Sequence, residues 1–452
     1  MKKKSVILAL LMSTVLALCG CSSKGTNEGN ASPNVTGSSV DGQSNDVNSN
    51  QDKSKAISLR FSWWGNQVRN ERTDAVLKMY SEENPGVTFQ EEINEFASYW
   101  DRLAAQSAGN ALPDIIQMDY RYIAQYVDNG LLLDLTPYVE SGLLDTSNIS
   151  ESTLGSGMLN EGLYGICNGV NAPALIYNKT ITDQAGIELT DNMTMDEFID
   201  AVKVVYEKTG VPANLAYYSG ENFLQYYLRD NGQVLFGDGK LGCDESTLVN
   251  FFKLYEDGIK EKWHVDPSLY IEVSPTAVEE NTIHTGKSWT VFTFSNQYKA
   301  YMSSKPDNYE YGMVTWPANN KTQANYIKPS QFFCVTSNSK NPEEAVKVLN
   351  YLTNSVESNS VLLGERGVPA SNIVAEAISP LLSDDDQVVV SYIQNISEAS
   401  STIDPANPVG ASEVSSLLND LVEEICYGQK SAEAAAAQFL EKSNEILGES
   451  VK

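Results

Sequence analysis

The sequence predicts an α/β fold with more than one hydrophobic core, and three observations lead there. Residues Ile57 to Ile93 read as strand, helix, strand. The chain has 452 residues, more than one core is expected to organise. Beyond the opening unit, apolar runs of strand length are interspersed with longer stretches of helical periodicity.

In the opening unit, Ile57, Leu59, Phe61 and Trp63 alternate with Ser58, Arg60, Ser62 and Trp64, the period of a half-buried strand. Gly65-Asn66 ends it. Val76, Met79 and Tyr80, widened by Leu77, then mark one helix face. Asn84-Pro85-Gly86 breaks that helix before Val87, Phe89 and Ile93 start a second strand. A parallel crossover holds ligands at the carboxyl ends of its strands, where strand order reverses. That end carries Trp63 and Trp64. By the alternation Trp63 faces the core and Trp64 is free to face a cleft; two core tryptophans are the other reading.

Tyr99 to Ser107 reads as a short helix ended by Gly109. After Pro113, Asp114 to Asp119 reads as a buried parallel strand by its two isoleucines and its methionine. Asp119 and Tyr120 thus fall on the same edge as Trp64. A helix through Ile123 and Val127 stops at Gly130, and Ala174 to Tyr177 is a strand left through Asn178-Lys179. Thr194 and Glu197 make a capping box ahead of Phe198, Val202, Val205 and Tyr206. Leu248, Phe251, Phe252 and Tyr255 mark another helix. Ser288 to Phe294 reads as a strand running into Ser295-Asn296-Gln297, and Gln331 to Val335 as a further strand. Pro342-Glu343-Glu344 opens a helix, with proline at the first position and acids at the positive end. Val414, Leu417, Leu418, Leu421, Val422 and Ile425 form the clearest helical stripe; Gly428 ends it, and a last helix covers Ala432 to Leu447. There is no internal repeat.

Composition removes several functions. A net charge of −28 speaks against nucleic-acid binding through a basic groove. The chain has two histidines, His264 and His284, and no His or Cys pair at ligand spacing, so neither a zinc enzyme, a metal site nor a cofactor is expected. Lys2, Lys3 and Lys4 precede an apolar run from Val6 to Leu18, an export signal too short to span a bilayer comfortably. The run ends Leu18-Cys19-Gly20-Cys21. This resembles the lipobox of bacterial lipoproteins, which makes residues 1–21 the signal peptide and Cys21 the lipidated residue; an ordinary signal peptide with two stray cysteines is the alternative. Residues 22–55 are Ser, Asn, Gly and Asp with almost no large apolar side chain, the composition of a disordered tether. Cys167, Cys243, Cys334 and Cys426 have no framework spacing and read as single buried thiols; export leaves a disulfide open.

The ordered motifs of the chain are similar to those of the carbohydrate-binding extracellular solute-binding proteins of ABC importers, the maltose-binding-protein-like group. They are Trp63-Trp64-Gly65 with Arg69, Asn84-Pro85-Gly86-Val87, Tyr99 with Leu103, and Pro113-Asp114-Ile115. Gly130-Leu131 with Asp134-Leu135, Tyr164-Gly165, and Ala174-Leu175-Ile176-Tyr177-Asn178-Lys179 follow. Phe294-Ser295-Asn296-Gln297 and Asn341-Pro342-Glu343-Glu344-Ala345 complete the set. Members often carry proline where Cys167 stands and tryptophan where Phe294 stands. The resemblance implies a two-lobed periplasmic-binding-protein fold (type II-like) with a ligand cleft between lobes. Lobe one is 56–168 plus 326–358, and lobe two is 172–322 plus 366–452. It further implies a monomeric cell-surface lipoprotein, not an enzyme, that captures an oligosaccharide and delivers it to the membrane permease subunits of an ABC importer.

A pyranose offers apolar C–H faces and a hydroxyl rim, met by aromatic rings and by amide or charged side chains. Trp64, Tyr99, Tyr120 and Phe294 are the expected rings; Arg69, Asp119, Asn171, Asn222, Asn296 and Gln297 are the expected rim. A solvated loop position or a cap is the other reading of each polar residue. Arg69, Arg72, Arg102, Arg121 and Lys328 could serve an acidic sugar or be surface charges with packed stems. An exported glycoside hydrolase, with two carboxylates flanking the scissile bond, and a binding protein for a non-sugar solute are the rival functions. The anchor is tested by Cys21→Ala, which should move the protein from the membrane fraction to the soluble one; unchanged partition contradicts the lipobox.

Overall fold

The computed structural model describes residues 56–191, 193–215, 220–269 and 278–450. The signal segment, Cys21 and the tether lie outside the described residues.

The first sheet has five strands in the order β2-β1-β3-β10-β6. Here β1 is Ile57–Trp64, β2 Val87–Asn94 and β3 Ile115–Met118; β4 (Met158–Leu159) and β5 (Gly162–Leu163) pair only with each other, β6 is Ile166–Asn171, and β10 is Lys328–Val335. β1 runs parallel to β2 from Ile57↔Val87 to Trp64↔Asn94, and parallel to β3 at Phe61↔Ile115. β10 is antiparallel to both β3 and β6, so an otherwise parallel sheet accepts a returning strand from far along the chain. Helix α1, Gln67–Glu83, is started by Asn66, whose side chain accepts from the Arg69 N–H. Helix α2 is Phe96–Ala108 and α3 is Tyr120–Asp128.

The alternation of β1 holds in its first half and then gives way. Leu59 is buried between exposed Ser58 and half-buried Arg60, but Phe61, Ser62, Trp63 and Trp64 are all buried, as in an inner strand covered on both faces. Phe61 packs edge-on against Trp63 at 5.1 Å and Phe333 at 5.3 Å. Trp63 has no exposure, and its indole N–H donates to Asn70 Oδ1 at 3.0 Å.

The second sheet has the order β8-β7-β9, with β7 Pro173–Asn178, β8 Thr290–Phe294 and β9 Tyr311–Val314, all antiparallel neighbours. Its two faces serve different cores. Ala174 and Ile176 join the apolar cluster built on the first sheet, while Leu175 and Tyr177 join a second cluster. That second cluster is filled by Phe223, Phe251, Phe252, Trp289, Phe292 and Trp316, with the helices Met195–Thr209, Glu245–Lys260, Ala411–Cys426 and Ala432–Ser450 around it. The period of two in a strand thus divides one chain between two cores.

Most elements read from the sequence are present within a few residues. The Thr194/Glu197 capping box forms in both directions, at 2.8 and 3.2 Å. The helices Gly220–Asp230, Val356–Leu362, Asn372–Ile378 and Asp384–Ser397 were not anticipated. The four cysteines among the described residues, Cys167, Cys243, Cys334 and Cys426, are free thiols; burial pushes Cys167, Cys243 and Cys426 up to about 12. His264 and His284 are buried. His264 Nε2 accepts from the Leu215 N–H at 3.2 Å, and burial pushes its imidazole down to about 4, the setting of a neutral packing residue. No group of His, Cys, Asp and Glu among the described residues is placed to hold a metal. Trp63→Ala should lower stability by about 3–5 kcal/mol, the range for large core truncations, read from urea unfolding; a variant as stable as wild type contradicts a core role.

Candidate functional site

A cavity of 710 Å³ opens where the carboxyl ends of β1 and β3 meet the end of β6 and the start of β10. This is the edge at which open α/β sheets bind ligands. Trp64 closes one side. Its ring is held by Phe96 at 5.4 Å, Tyr99 at 5.1 Å and Trp100 at 5.6 Å, so it is buried to 9 % exposure yet still reaches the cavity.

Asp119 is the N-cap of α3, accepting from the Arg121 N–H at 2.9 Å, and also pairs with the Arg121 guanidinium at 3.0 Å. Tyr120 follows, its hydroxyl donating to the Asp404 carbonyl at 2.5 Å; Asp404 itself pairs with Arg229. Burial, and then the Asp404 carboxylate beside the phenol, push the Tyr120 hydroxyl above its ordinary range. Arg69 pairs with Glu365 at 2.6 Å. The Asn171 side-chain amide donates to Ser330 Oγ at 3.1 Å, and its side-chain oxygen, Oδ1, is buried with no hydrogen-bond partner among the described residues. Lys299 pairs with Asp386 at 2.6 Å.

One wall is a strap, residues 363–369. It is pressed onto β6 by reciprocal backbone bonds between Val170 and Val368, 2.8 and 3.2 Å long. Backbones approach here so closely that a Cβ on Gly169 would lie 2.2 Å from the Arg366 carbonyl. Gly367, at φ +110°, would place a Cβ 2.6 Å from Ser330 Oγ. Arg366 turns inward and donates to Gln117 Oε1 at 3.1 Å and Thr73 Oγ1 at 2.9 Å. Burial, and then the neighbouring Arg69 cation, push its guanidinium down to about 9. Gln117 in turn donates to the Trp64 carbonyl at 3.2 Å.

Of the residues expected from sequence, Trp64, Arg69, Asp119, Tyr120, Asn171 and Asn296 line this cavity together. Tyr99 does not. Helix α2 begins three residues before the position read for it, and Tyr99 points into the core, donating to the Gln117 carbonyl at 2.6 Å. It backs the Trp64 ring, and Phe96, one turn earlier, reaches the cavity in its place. Phe294 sits behind the wall, under the Lys328 ammonium at 4.5 Å from the ring centre and against Trp316. Gln297, in a 3₁₀ turn, and Asn222, on the helix Gly220–Asp230, are half-buried outside the lining. Lys299, the strap with Glu365 and Arg366, and Asp386 with Val389 and Val390 were missed. For the last group a signal existed: Ser383 followed by three aspartates is a helix start.

The sequence profile of the bacterial extracellular solute-binding proteins matches residues 75–386. An extracellular solute-binding protein family 1 structure from Alicyclobacillus acidocaldarius superposes with a TM-score of 0.79 at 28% identity, over 87% of this chain and 99% of that one. An arabinooligosaccharide-binding protein of Bacillus subtilis is 23% identical over 58% of this chain and 56% of its own length. A galactooligosaccharide-binding protein of the same organism is 23% identical over 69% of this chain and 73% of its own length. With a two-core α/β fold, a cavity at the strand ends and a profile match over most of the described residues, the chain belongs to the bacterial extracellular solute-binding protein family.

Proposed function

We propose that this protein captures an oligosaccharide outside the cytoplasmic membrane, holds it without cleaving it, and delivers it to the permease of an ABC importer. The observation that carries this is the pairing of a buried aromatic face with an unsatisfied polar group in one cavity. Trp64 offers a ring for a sugar face, and the Asn171 carbonyl oxygen needs a donor such as a hydroxyl. The volume of 710 Å³ falls in the range of about 300–1,000 Å³ usual for ligand sites. The oligosaccharide-binding relatives in Bacillus subtilis support the same class of ligand.

The hydrolase alternative draws less support. It requires one free acid and one free base or nucleophile. The cavity carboxylates Asp119, Glu365 and Asp386 are each engaged by a cation, Arg121, Arg69 and Lys299 respectively.

In this reading the protein is a monomer held to the membrane through lipidated Cys21. Its lobes, residues 56–168 with 326–358 and residues 172–322 with 366–452, close over the ligand. A ligand touching both lobes favours the closed state by the difference between its affinities for the two states, and the permease recognises that state.

A calorimetric screen of purified protein against a broad saccharide panel tests the reading, with prolonged incubation and product analysis testing non-cleavage. Binding at about micromolar Kd is expected, with no products. Trp64→Ala should weaken binding by about 1–3 kcal/mol, the size of aromatic truncations at binding hot spots, with an unaltered circular dichroism spectrum. Failure of every saccharide alongside a clear peptide or amino-acid ligand, or full binding by folded Trp64→Ala, contradicts it.

A further inference from the structure

We propose that the saccharide taken by this cavity is acidic, and that Lys328 receives its carboxylate while Asn171 receives a neighbouring hydroxyl; this rests on the saccharide reading above. The cavity wall is more cationic than the protein around it. It carries Arg69, Arg121, Lys299, Lys328 and Arg366 against Asp119, Glu365 and Asp386, in a chain of net charge −28.

The three carboxylates are already spoken for by Arg121, Arg69 and Lys299. Of the two remaining cations, Arg366 is turned into the protein and satisfied by the neutral oxygens of Gln117 and Thr73. Lys328 is different. It is half-buried, lines the cavity, and has no ion pair or side-chain hydrogen bond among the described residues. Its ammonium is held only over the Phe294 ring, 4.5 Å from the centre. Burial lowers its pKa from the ordinary lysine value, Asp119 and Glu221 favour the charge from a distance, and Arg121 opposes it. An ammonium withdrawn from water without a contacting anion is a poor resting arrangement, and an incoming carboxylate relieves it.

Asn171 supplies the independent second point. It is the residue directly opposite Lys328 in the β6–β10 ladder, so the two side chains belong to one neighbourhood. It is 7 % exposed, and its side-chain oxygen, Oδ1, has no partner among the described residues. The cavity therefore sets an acceptor in need of a donor beside a cation in need of an anion. A uronic acid residue presents both complements, a hydroxyl and a carboxylate, on one ring. A neutral sugar answers Asn171 but offers the Lys328 ammonium only neutral oxygens, the weaker acceptors. The −28 overall charge does not forbid this, since at about 0.15 M salt fields decay over roughly 8 Å and the local groups decide.

The test is calorimetry at physiological salt with matched pairs. Digalacturonate is compared with galactobiose, and glucuronate-bearing xylo-oligosaccharides with their unsubstituted forms. The acidic member of at least one pair should bind about tenfold or more tightly. Lys328→Met should remove that preference and Lys328→Arg keep it, both with wild-type melting behaviour in the absence of ligand. Neutral members binding as tightly as acidic ones, or a folded Lys328→Met that keeps the preference, overturns the carboxylate assignment and leaves the saccharide reading standing. Binding of no saccharide of either kind, with a peptide or amino-acid ligand found instead, overturns both.

Discussion

The structure depends on the point where the chain passes from one sheet to the other. β6 ends at Asn171 and β7 begins at Pro173, so a single residue, Ala172, links the two strands. It is fully buried and clamped on both sides: its N–H donates to Ser295 Oγ at 3.1 Å, and its carbonyl accepts from the Ser295 N–H at 2.8 Å. With no slack at that link, the end of β6 and the turn after β8 are fixed to each other. Asn171 and Asn296 flank the clamp, which is why residues far apart in sequence line one cavity. The register of β10 then shifts between Pro329 and Gln331 and again between Gln331 and Phe332, and the irregular Lys328–Gln331 segment forms the same wall.

The second constraint is the buried guanidinium of Arg366. Among the described residues it has no contacting carboxylate: Gln117 and Thr73 accept its hydrogen bonds, and the Phe333 ring lies 5.4 Å from its guanidinium carbon. Breaking either contact would leave a charge in a dry interior, a larger penalty than a lost neutral bond. The relay continues from Gln117 to the Trp64 carbonyl, so strap, β3, α1 and the aromatic wall are held by one set of bonds. The glycines at 169 and 367 permit the approach that this relay requires.

Much of this was legible in the sequence, and what was not has physical causes. The alternation of β1 located Trp63 and Trp64, because period-two burial is local. It did not foresee that the far face would also be covered, which depends on helices packed from elsewhere. Tyr99 was expected as a sugar-facing ring from its residue type and motif; its hydroxyl instead reaches the Gln117 carbonyl in the core, a contact set by how α2 packs on β3 and not by any local pattern. The strap could not be found by periodicity, since it has none; its only local mark is the pair Gly364 and Gly367. Asp384–Ser397 did carry helical spacing, at Val389, Val390, Ile393 and Ile396, behind a Ser383 cap and three aspartates. Lys328 was visible as a candidate cation. Only the ladder that sets it opposite Asn171, and the pairing of every other cavity charge except inward-turned Arg366, distinguishes it from a surface lysine.

The ligand site proposed for this protein is the cavity between the carboxyl ends of β1 and β3 and the β6–β10 wall. A crystal structure of the protein with a bound saccharide would locate it. A sugar ring should lie against the Trp64 face with a hydroxyl within hydrogen-bond reach of Asn171 Oδ1, and the two cores should be drawn together over it. Saccharide bound elsewhere on the molecule, with this cavity filled by solvent alone, would contradict it.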